Sequence, residues 1–343
     1  MRMDERIGDT GAPKGRARIG LMVLAFLIGS GALSACEPKG IAPVEDTKPS
    51  ADSRILQAPP TMSDGSPIPQ HGTETVATSM ELMSDGLVGG MSVDAQGNIY
   101  NTNFRESVWR TAPNGETIQL NGEFTSASGN FALENGDLLQ GEWTENRIYR
   151  IKPDGTRWIF AEGGLDGPVG IVQRPNGDFI VANSRGEFLA RIPPEGGSGE
   201  VALRHEAMTQ PNGVTIDAEG NIYVSDLDGG KVFKWLPTGE VVILAELPGK
   251  GNAHAVFADG ALYVNKIWDH VVFRVELDTG AFGIVTGNGR AGYQDGPLGV
   301  ATIEEPNGIA TNAAKKVVYF NTHRGAMFGG EGRVIIRKLV LPD

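Results

Sequence analysis

The sequence predicts an all-β fold built from six copies of one unit, and three observations support this prediction. The chain contains 48 glycines and 20 prolines, which favour many short strands and turns over long helices. Short runs of valine, isoleucine and aromatic residues alternate with Gly, Asp and Pro. The pattern returns about every 40 residues, a period typical of β-propellers. The residue before the second apolar run of each copy marks the period: Gly97, Gly136, Gly177, Gly220, Gly260 and Lys316.

The copy at 213–245 contains the four strands expected of one blade. GVTI precedes a turn, DAEG, and a second strand, NIYV. After the loop SDLDGG come the strand KVFKW, the turn LPTG and the strand EVVILA. β-branched and aromatic residues suit such half-buried, pleated segments. Six copies predict one domain, a six-bladed propeller of four-stranded blades over residues 73–343.

The two ends of the propeller sequence predict how the ring closes. The last copy stops at Leu341-Pro342-Asp343, which aligns with the turn before a fourth strand. The stretch GTETVATSMEL (72–82) aligns with the fourth strand of another copy. We therefore expect an N-terminal strand to complete the last blade, because closure removes the free edges of an open ring.

The first 72 residues predict a leader and a tether. A basic start precedes an apolar run at 19–35, which is short for a membrane span and typical of a secretory signal. Its end, LSAC (33–36), resembles the lipobox of bacterial lipoproteins, which implies removal of residues 1–35 and lipid attachment to Cys36. A chance cysteine after a transmembrane anchor is the weaker alternative. Residues 36–72 are rich in proline, serine and charge, and we expect a flexible tether.

Charge and the leader together limit the partners and the location. The net charge is −12 and the isoelectric point about 5.0, which argues against a nucleic-acid partner. An acidic balance suits a cation or a neutral small molecule, and it also serves solubility. The leader predicts a bacterial envelope protein, held in the membrane through lipidated Cys36 and facing the periplasm or the cell surface.

The tripeptide Pro-Asn-Gly occurs four times, and the repeat assigns the copies to opposite ends of the propeller. The copies at 113–115 and 175–177 align with turns at the bottom, where glycine supplies positive φ and asparagine tolerates the left-handed region. The copies at 211–213 and 306–308 open first strands at the top of the central channel. The equivalent residues of the other blades are Gly89, Ser128, Val169 and Asn252.

Two rings of polar residues are predicted at the top of the channel. The first-strand ring contains Asn212, Asn252 and Asn307. The second-strand ring follows the second strands and consists of Asn103, Glu142, Asn183, Asp226, Lys266 and Thr322. Calcium prefers six to eight oxygen ligands, including amide and carboxylate oxygens. Alternatively, the asparagines hydrogen-bond the backbone that links the blades.

The stretch QPNGVTIDAEGNIYVSD (210–226) resembles the blade pattern of the senescence-marker-protein/gluconolactonase group and, more broadly, of NHL-repeat propellers. The resemblance covers roughly residues 85–341. It implies a divalent cation, with calcium expected, bound by asparagine or aspartate side chains at the starts of first strands. On this pattern Asn212 would be a ligand, with Asn307 or Asn252 as a further candidate.

The sequence departs from this family at the first blade. Where the family usually has a glutamate ligand, Gly89 and Gly90 stand, so Glu142 or Asp226 would have to supply the carboxylate. The segment 287–308 resembles the longer NHL link between blades and would hang over the top rim as a partial lid.

The resemblance implies one of two functions. The first is an envelope-anchored, calcium-dependent lactone or ester hydrolase, in which the metal polarises the carbonyl and Asp226, Glu142 or His323 takes a proton from water. His254 is expected to pack between blades. The residues predicted to bind substrate in that hydrolase are Asn103, Asn183, Lys266 and Trp143. The second function is a non-catalytic propeller that binds an envelope protein or a glycan through its top surface, since a fold alone does not decide function.

Overall fold

A computed structural model describes residues 61–68, 72–75, 88–312, 314, 316–324 and 333–341. Within these residues the chain forms strands and turns, and none of them belongs to a helix that could span a membrane. The predicted leader and Cys36 lie outside the described residues.

The strands are short, as the spacing of glycine and proline predicts. In chain order they are β1 (Gly72–Thr75), β2 (Met91–Val93), β3 (Ile99–Thr102), β4 (Val108–Thr111), β5 (Thr117–Asn121), β6 (Ala127–Ala132), β7 (Leu138–Glu142), β8 (Arg147–Ile151), β9 (Arg157–Glu162), β10 (Pro168–Gln173), β11 (Phe179–Asn183), β12 (Phe188–Ile192), β13 (Glu200–Leu203), β14 (Pro211–Ile216), β15 (Ile222–Asp226), β16 (Lys231–Trp235), β17 (Val241–Glu246), β18 (Asn252–Ala258), β19 (Ala261–Lys266), β20 (Val271–Glu276), β21 (Phe282–Thr286), β22 (Gly296–Pro297), β23 (Ile309–Thr311), β24 (Val317–Arg324) and β25 (Arg333–Val340).

These strands form six antiparallel sheets, which confirms the predicted six-bladed β-propeller. Blades 1 to 5 are the consecutive groups β2–β5, β6–β9, β10–β13, β14–β17 and β18–β21. Blade 6 combines β23, β24 and β25 with β1, and β22 lies outside β1. Each blade interface holds a cluster of buried apolar side chains. Second strands are covered on both faces for this reason, and all five residues of β11 are buried.

The N-terminal strand closes the ring as the sequence predicts. β1 pairs antiparallel with β25, from Gly72 opposite Val340 to Thr75 opposite Arg337. The first and last strands of the propeller are therefore held by one backbone ladder. The remaining part of the predicted strand, 76–82, lies outside the described residues.

Residues 61–68, predicted to belong to the tether, instead lie on blade 5. The side chains of Met62 and Ile68 are only 3% and 4% exposed. The Ser63 N–H donates to the Phe282 carbonyl at 2.7 Å, and the Phe282 N–H donates to Ser63 Oγ at 3.0 Å. Gly283 makes room for this contact, since a Cβ there would lie 2.6 Å from Ile68 Cδ1. Two apolar residues in a polar stretch therefore fix this part of the predicted tether on the propeller.

The long link before blade 6 runs along the outer edge of that blade, so the predicted lid is wrong. β22 pairs with β1, with Gly296 opposite Thr73. Arg337 of β25 is fully buried and holds the link: its guanidinium donates to the Asp295 carboxylate, to the Gln294 carbonyl at 2.8 Å and to the Thr302 carbonyl at 2.7 Å. A buried cation needs such acceptors, and the link supplies them.

Candidate functional site

The second-strand ring at the top of the propeller anchors the links between blades. Both oxygens of Glu142 accept backbone N–H groups, from Thr125 at 3.0 Å and from Ser126 at 2.8 Å. Asp226 makes the same pair of contacts in blade 4, with Thr209 at 2.9 Å and Gln210 at 2.7 Å. In both blades the donors lie 17 and 16 residues before the carboxylate. The repeat therefore builds one anchor into each of these links.

Two further members of the ring, an amide and an ammonium, also anchor the links between blades. Asn183 Oδ1 accepts the N–H of Asp166 at 2.8 Å, again 17 residues earlier. Lys266 Nζ donates to the carbonyl of Gly249 at 2.9 Å, also 17 residues earlier. An ammonium suits this position because the link here presents a carbonyl rather than an N–H. Burial lowers the pKa of Lys266 to about 8.

The anchoring role bears directly on the predicted catalytic carboxylates. Glu142 and Asp226 are 1% and 0% exposed, and the oxygens of both are engaged by backbone donors. Burial raises the pKa of Glu142, and the two backbone donors oppose that rise. Asn103, predicted to bind substrate, caps its own loop by accepting the N–H groups of Arg105 and Ser107.

The first-strand ring differs from the sequence alignment in blade 5. The Asp259-Gly260 turn joins Ala258 directly to Ala261, and both turn residues have positive φ, of 48° and 72°. Such a two-residue hairpin turn is one residue shorter than the corresponding turns of blades 1 to 4. Asn252 therefore faces Lys266 as Pro211 faces Asp226 in blade 4.

This shift corrects the placement of Asn252 as a ring member beside Asn212. Ala253 is the true counterpart of Asn212. Asn252 Oδ1 accepts the ammonium of Lys266 at 3.0 Å, and its Nδ2 donates to the Lys231 carbonyl at 3.3 Å. The side chain completes the anchor of the blade 5 link.

The two top-rim copies of Pro-Asn-Gly have different environments. Asn307 Nδ2 donates to the carbonyl of Val88 in blade 1. Ser128, at the same position in blade 2, donates to the carbonyl of Pro168 in blade 3 at 2.7 Å. Asn212 is 9% exposed, and its buried Oδ1 has no hydrogen-bond partner among the described residues. Asn307 therefore joins blades, whereas Asn212 keeps an open acceptor.

The predicted calcium ligands do not fit a calcium ion. The Asp226 oxygens accept backbone N–H groups, and the ammonium of Lys266 already occupies the Asn252 oxygen. Amide oxygens of Asn212 and Asn307 alone fall far short of the six to eight oxygens that calcium takes. Within the described parts of the chain, no three His, Cys, Asp or Glu side chains gather in a metal-binding arrangement.

An outer ring on the top surface is formed by the residues that follow the second-strand ring: Phe104, Trp143, Ser184, Leu227, Ile267 and His323. Trp143 Nε1 donates to Ser184 Oγ at 2.8 Å, and the Phe104 and Trp143 ring centroids lie 6.4 Å apart. The Arg185 guanidinium lies 4.8 Å from the centroid of Trp143. Trp143, predicted to bind substrate, therefore belongs to a wall that is partly apolar.

His323, the blade 6 member of the outer ring, is buried at 4% exposure. Its backbone N–H donates to the Glu304 carbonyl at 2.9 Å. The ring Nδ1 is buried, and nothing in the described chain hydrogen-bonds to it. Oγ1 of the preceding Thr322 is also buried and has no described partner. Blade 6 thus has open polar atoms where blades 2 to 5 have anchors.

His254 occupies a position that is glycine in the other five blades: Gly90, Gly129, Gly170, Gly213 and Gly308. Those glycines allow adjacent inner strands to approach closely, since a Cβ at Gly170 would lie 2.5 Å from the Asn212 carbonyl oxygen. The His254 N–H donates to the Asn307 carbonyl at 3.2 Å. The alignment of the repeats is one residue out in this blade, so the sequence alone did not reveal this exception.

Acid should destabilise the protein through His254. Burial lowers the pKa of His254 to about 4, whereas an unfolded histidine titrates near 6.5. Between these values the unfolded chain binds the proton and the folded chain does not, so stability falls as pH falls. The loss should reach about 3 kcal/mol at pH 4 relative to pH 7. Urea unfolding at both pH values should show a smaller loss for His254→Gln, and an equal loss would contradict this.

No protein-family model and no curated protein sequence matches the chain. Several solved structures are similar to it. A gluconolactonase from Xanthomonas campestris is 16% identical over 83% of this chain and 98% of that one, with a TM-score of 0.58. A calcium-binding regucalcin from Agrobacterium tumefaciens is 13% identical over 80% and 96%, with a TM-score of 0.57. A virginiamycin B lyase from Staphylococcus aureus is 16% identical over 79% and 100%, with a TM-score of 0.55. The chain therefore has the propeller fold of these gluconolactonase, regucalcin and lyase structures.

Proposed function

We propose that this chain is a hydrolase of small lactones or esters, with its site at the top of the propeller. The buried Nδ1 of His323, which has no hydrogen-bond partner among the described residues, carries the proposal. Buried polar atoms nearly always have a partner, and Asn212 offers a second open atom at the same end of the molecule. Two such atoms favour a bound polar ligand. The gluconolactonase and lyase among the similar structures favour a small-molecule reaction.

In the proposed reaction His323 is the general base. Its imidazole takes a proton from water as the water oxygen attacks the substrate carbonyl carbon. The protonated imidazole then returns the proton to the leaving oxygen as the carbon–oxygen bond breaks. Asn212 would hydrogen-bond the substrate, and Phe104 with Trp143 would supply an apolar wall. Asp226 and Glu142 have no part in the chemistry, because their oxygens hold the blade links.

A panel of lactones and aryl esters tests this function. The wild type should hydrolyse at least one, and His323→Gln should lower kcat/KM by about 100-fold or more, as loss of a general base does. His205→Gln is the control, since His205 Nδ1 caps a link by accepting the Ala207 N–H at 3.1 Å. Full activity in His323→Gln, or none in the wild type, would contradict the proposal.

A non-catalytic binding module is the second candidate, and the anchoring of Glu142 and Asp226 favours it. The oxygens of both carboxylates accept backbone N–H groups. Of the three side chains predicted to take a proton from water, only His323 then remains. The same panel separates the two functions. A binder of an envelope protein or glycan would turn over no substrate in the panel.

We further propose that the protein is anchored in the bacterial envelope through lipid on Cys36. The sequence LSAC and the basic-apolar leader support this. Cys36→Ser should remove palmitate labelling and release the protein from the membrane fraction. Retention of label in that variant would contradict the anchor.

A further inference from the structure

A cleft of about 450 Å³ opens at the bottom of the propeller, between blades 1 and 6. It lies at the opposite end from the top rim, among the turns that join first to second and third to fourth strands. Its volume is within the range of small-molecule sites, roughly 300–1,000 Å³. The lining residues that matter below are Asp94, Gln96, Ile99, Pro113, Asn312 and Tyr319.

Four blades carry a tyrosine at one position of the second strand, Tyr100, Tyr223, Tyr263 and Tyr319. Those of blades 1 and 4 are hydrogen-bonded to an aspartate of the preceding turn. The Tyr100 hydroxyl donates to Asp94 Oδ2 at 3.1 Å. In blade 4 the Tyr223 hydroxyl donates to Asp217 Oδ2 at 2.9 Å. Burial, reinforced by the adjacent carboxylate, raises the pKa of both phenols. In these two blades the tyrosine hydroxyl is therefore held by the aspartate of the turn.

Blade 6 has the tyrosine without the acid. Tyr319 pairs with Ala310 just as Tyr100 pairs with Ser92, so the two tyrosines occupy equivalent positions. The acid is replaced by Asn312, whose Oδ1 accepts the N–H groups of Lys316 and Val317 at 2.9 and 3.2 Å. In the described chain the Tyr319 hydroxyl has no hydrogen bond, and Tyr319 lines the cleft.

The lining chemistry selects a neutral ligand rich in hydroxyl groups. Among the described lining residues there is no lysine, arginine or histidine to hold an anion. The one carboxylate among them, Asp94, already accepts from the Gln96 N–H at 3.0 Å and from the Tyr100 hydroxyl. What remains is a phenol, amide groups and the apolar faces of Ile99 and Pro113. Hydroxyl groups can both donate to and accept from such groups.

We propose that this bottom cleft binds a carbohydrate unit, with the Tyr319 hydroxyl as its main hydrogen-bonding group. The site is independent of the proposed hydrolase site, because it lies at the other end of the propeller and shares no residue with it. With a glycan bound at the bottom, the top surface would face away from that glycan.

Calorimetric titration of the protein with glucose and with N-acetylglucosamine tests the site. At millimolar concentrations one of them should bind saturably. Tyr319→Phe, which removes only the hydroxyl, should weaken binding about 2- to 12-fold, as loss of one hydrogen bond does. Ala95→Trp changes an exposed lining residue and should abolish binding by filling the cleft.

Tyr223→Phe is the matched control, since it removes the tied hydroxyl at the same strand position in blade 4. It should bind sugar as the wild type does. Thermal unfolding of each variant shows whether it is folded. Absence of saturable binding to the wild type, or wild-type binding by a folded Ala95→Trp, would overturn the proposal.

Discussion

Removal of residues 1–75 should lower the free energy of unfolding by about 5 kcal/mol or more relative to a chain that starts at Thr61. The cut removes β1, so β25 loses its outer partner and β22 has no strand to pair with. It also removes the buried side chains of Met62 and Ile68, each contributing about 1.5–3 kcal/mol. Whole domains are stable by only about 5–15 kcal/mol. The shortened chain should therefore be largely unfolded or aggregated.

The chain starting at Thr61 is the matched control, because both chains lack the predicted leader and most of the predicted tether. Urea unfolding followed by circular dichroism compares them directly. Equal midpoints and equal slopes would show that β1 and residues 61–68 do not close the ring.

Arg337→Met should lower the free energy of unfolding by about 3 kcal/mol, because it removes a fully buried guanidinium and leaves two link carbonyls without their donor, although its partner Asp295 is 33% exposed. The guanidinium donates to the Asp295 carboxylate and to two link carbonyls. Without it the outer course of the link loses its central attachment, while methionine still fills part of the volume.

Arg191→Met is the control for this change. Arg191 is 38% exposed and pairs with Asp178 at 2.8 Å, so its loss should cost at most about 1 kcal/mol. The difference between the two variants in urea unfolding measures the effect of burial. Equal costs would mean that Arg337 does not secure the link.

The repeat in the sequence predicts the propeller because strand patterns and turn residues are local features. The blade count, the four-stranded blades and the closing strand depend on the spacing of apolar runs, and the structure confirms all three. The anchors are harder to predict, because their partners lie on a separate link. Glu142 and Lys266 have opposite charges, yet both anchor a link, which becomes evident only when the backbone group opposite each is known.

Two local details account for the wrong expectations. The Asp259-Gly260 turn shortens blade 5 by one residue, which moved Asn252 and His254 to the wrong positions in the alignment. The link before blade 6 was expected over the top because it resembles the longer NHL link, and that resemblance does not specify which side of the blade the link follows. Arg337 determines its course, and the pairing of an arginine with acceptors about 40 residues away has no periodic pattern in the sequence.

Thermal unfolding of the protein in calcium and in chelator tests most directly whether the top rim is a set of link anchors rather than a calcium site. A specific ion stabilises the folded state by mass action. The Asp226 carboxylate accepts backbone N–H groups, and the Asn252 oxygen accepts the Lys266 ammonium. We therefore expect the same Tm with calcium and with chelator, for the wild type and for Asn212→Ala. A rise in Tm with calcium in the wild type that Asn212→Ala abolishes would contradict the anchoring role.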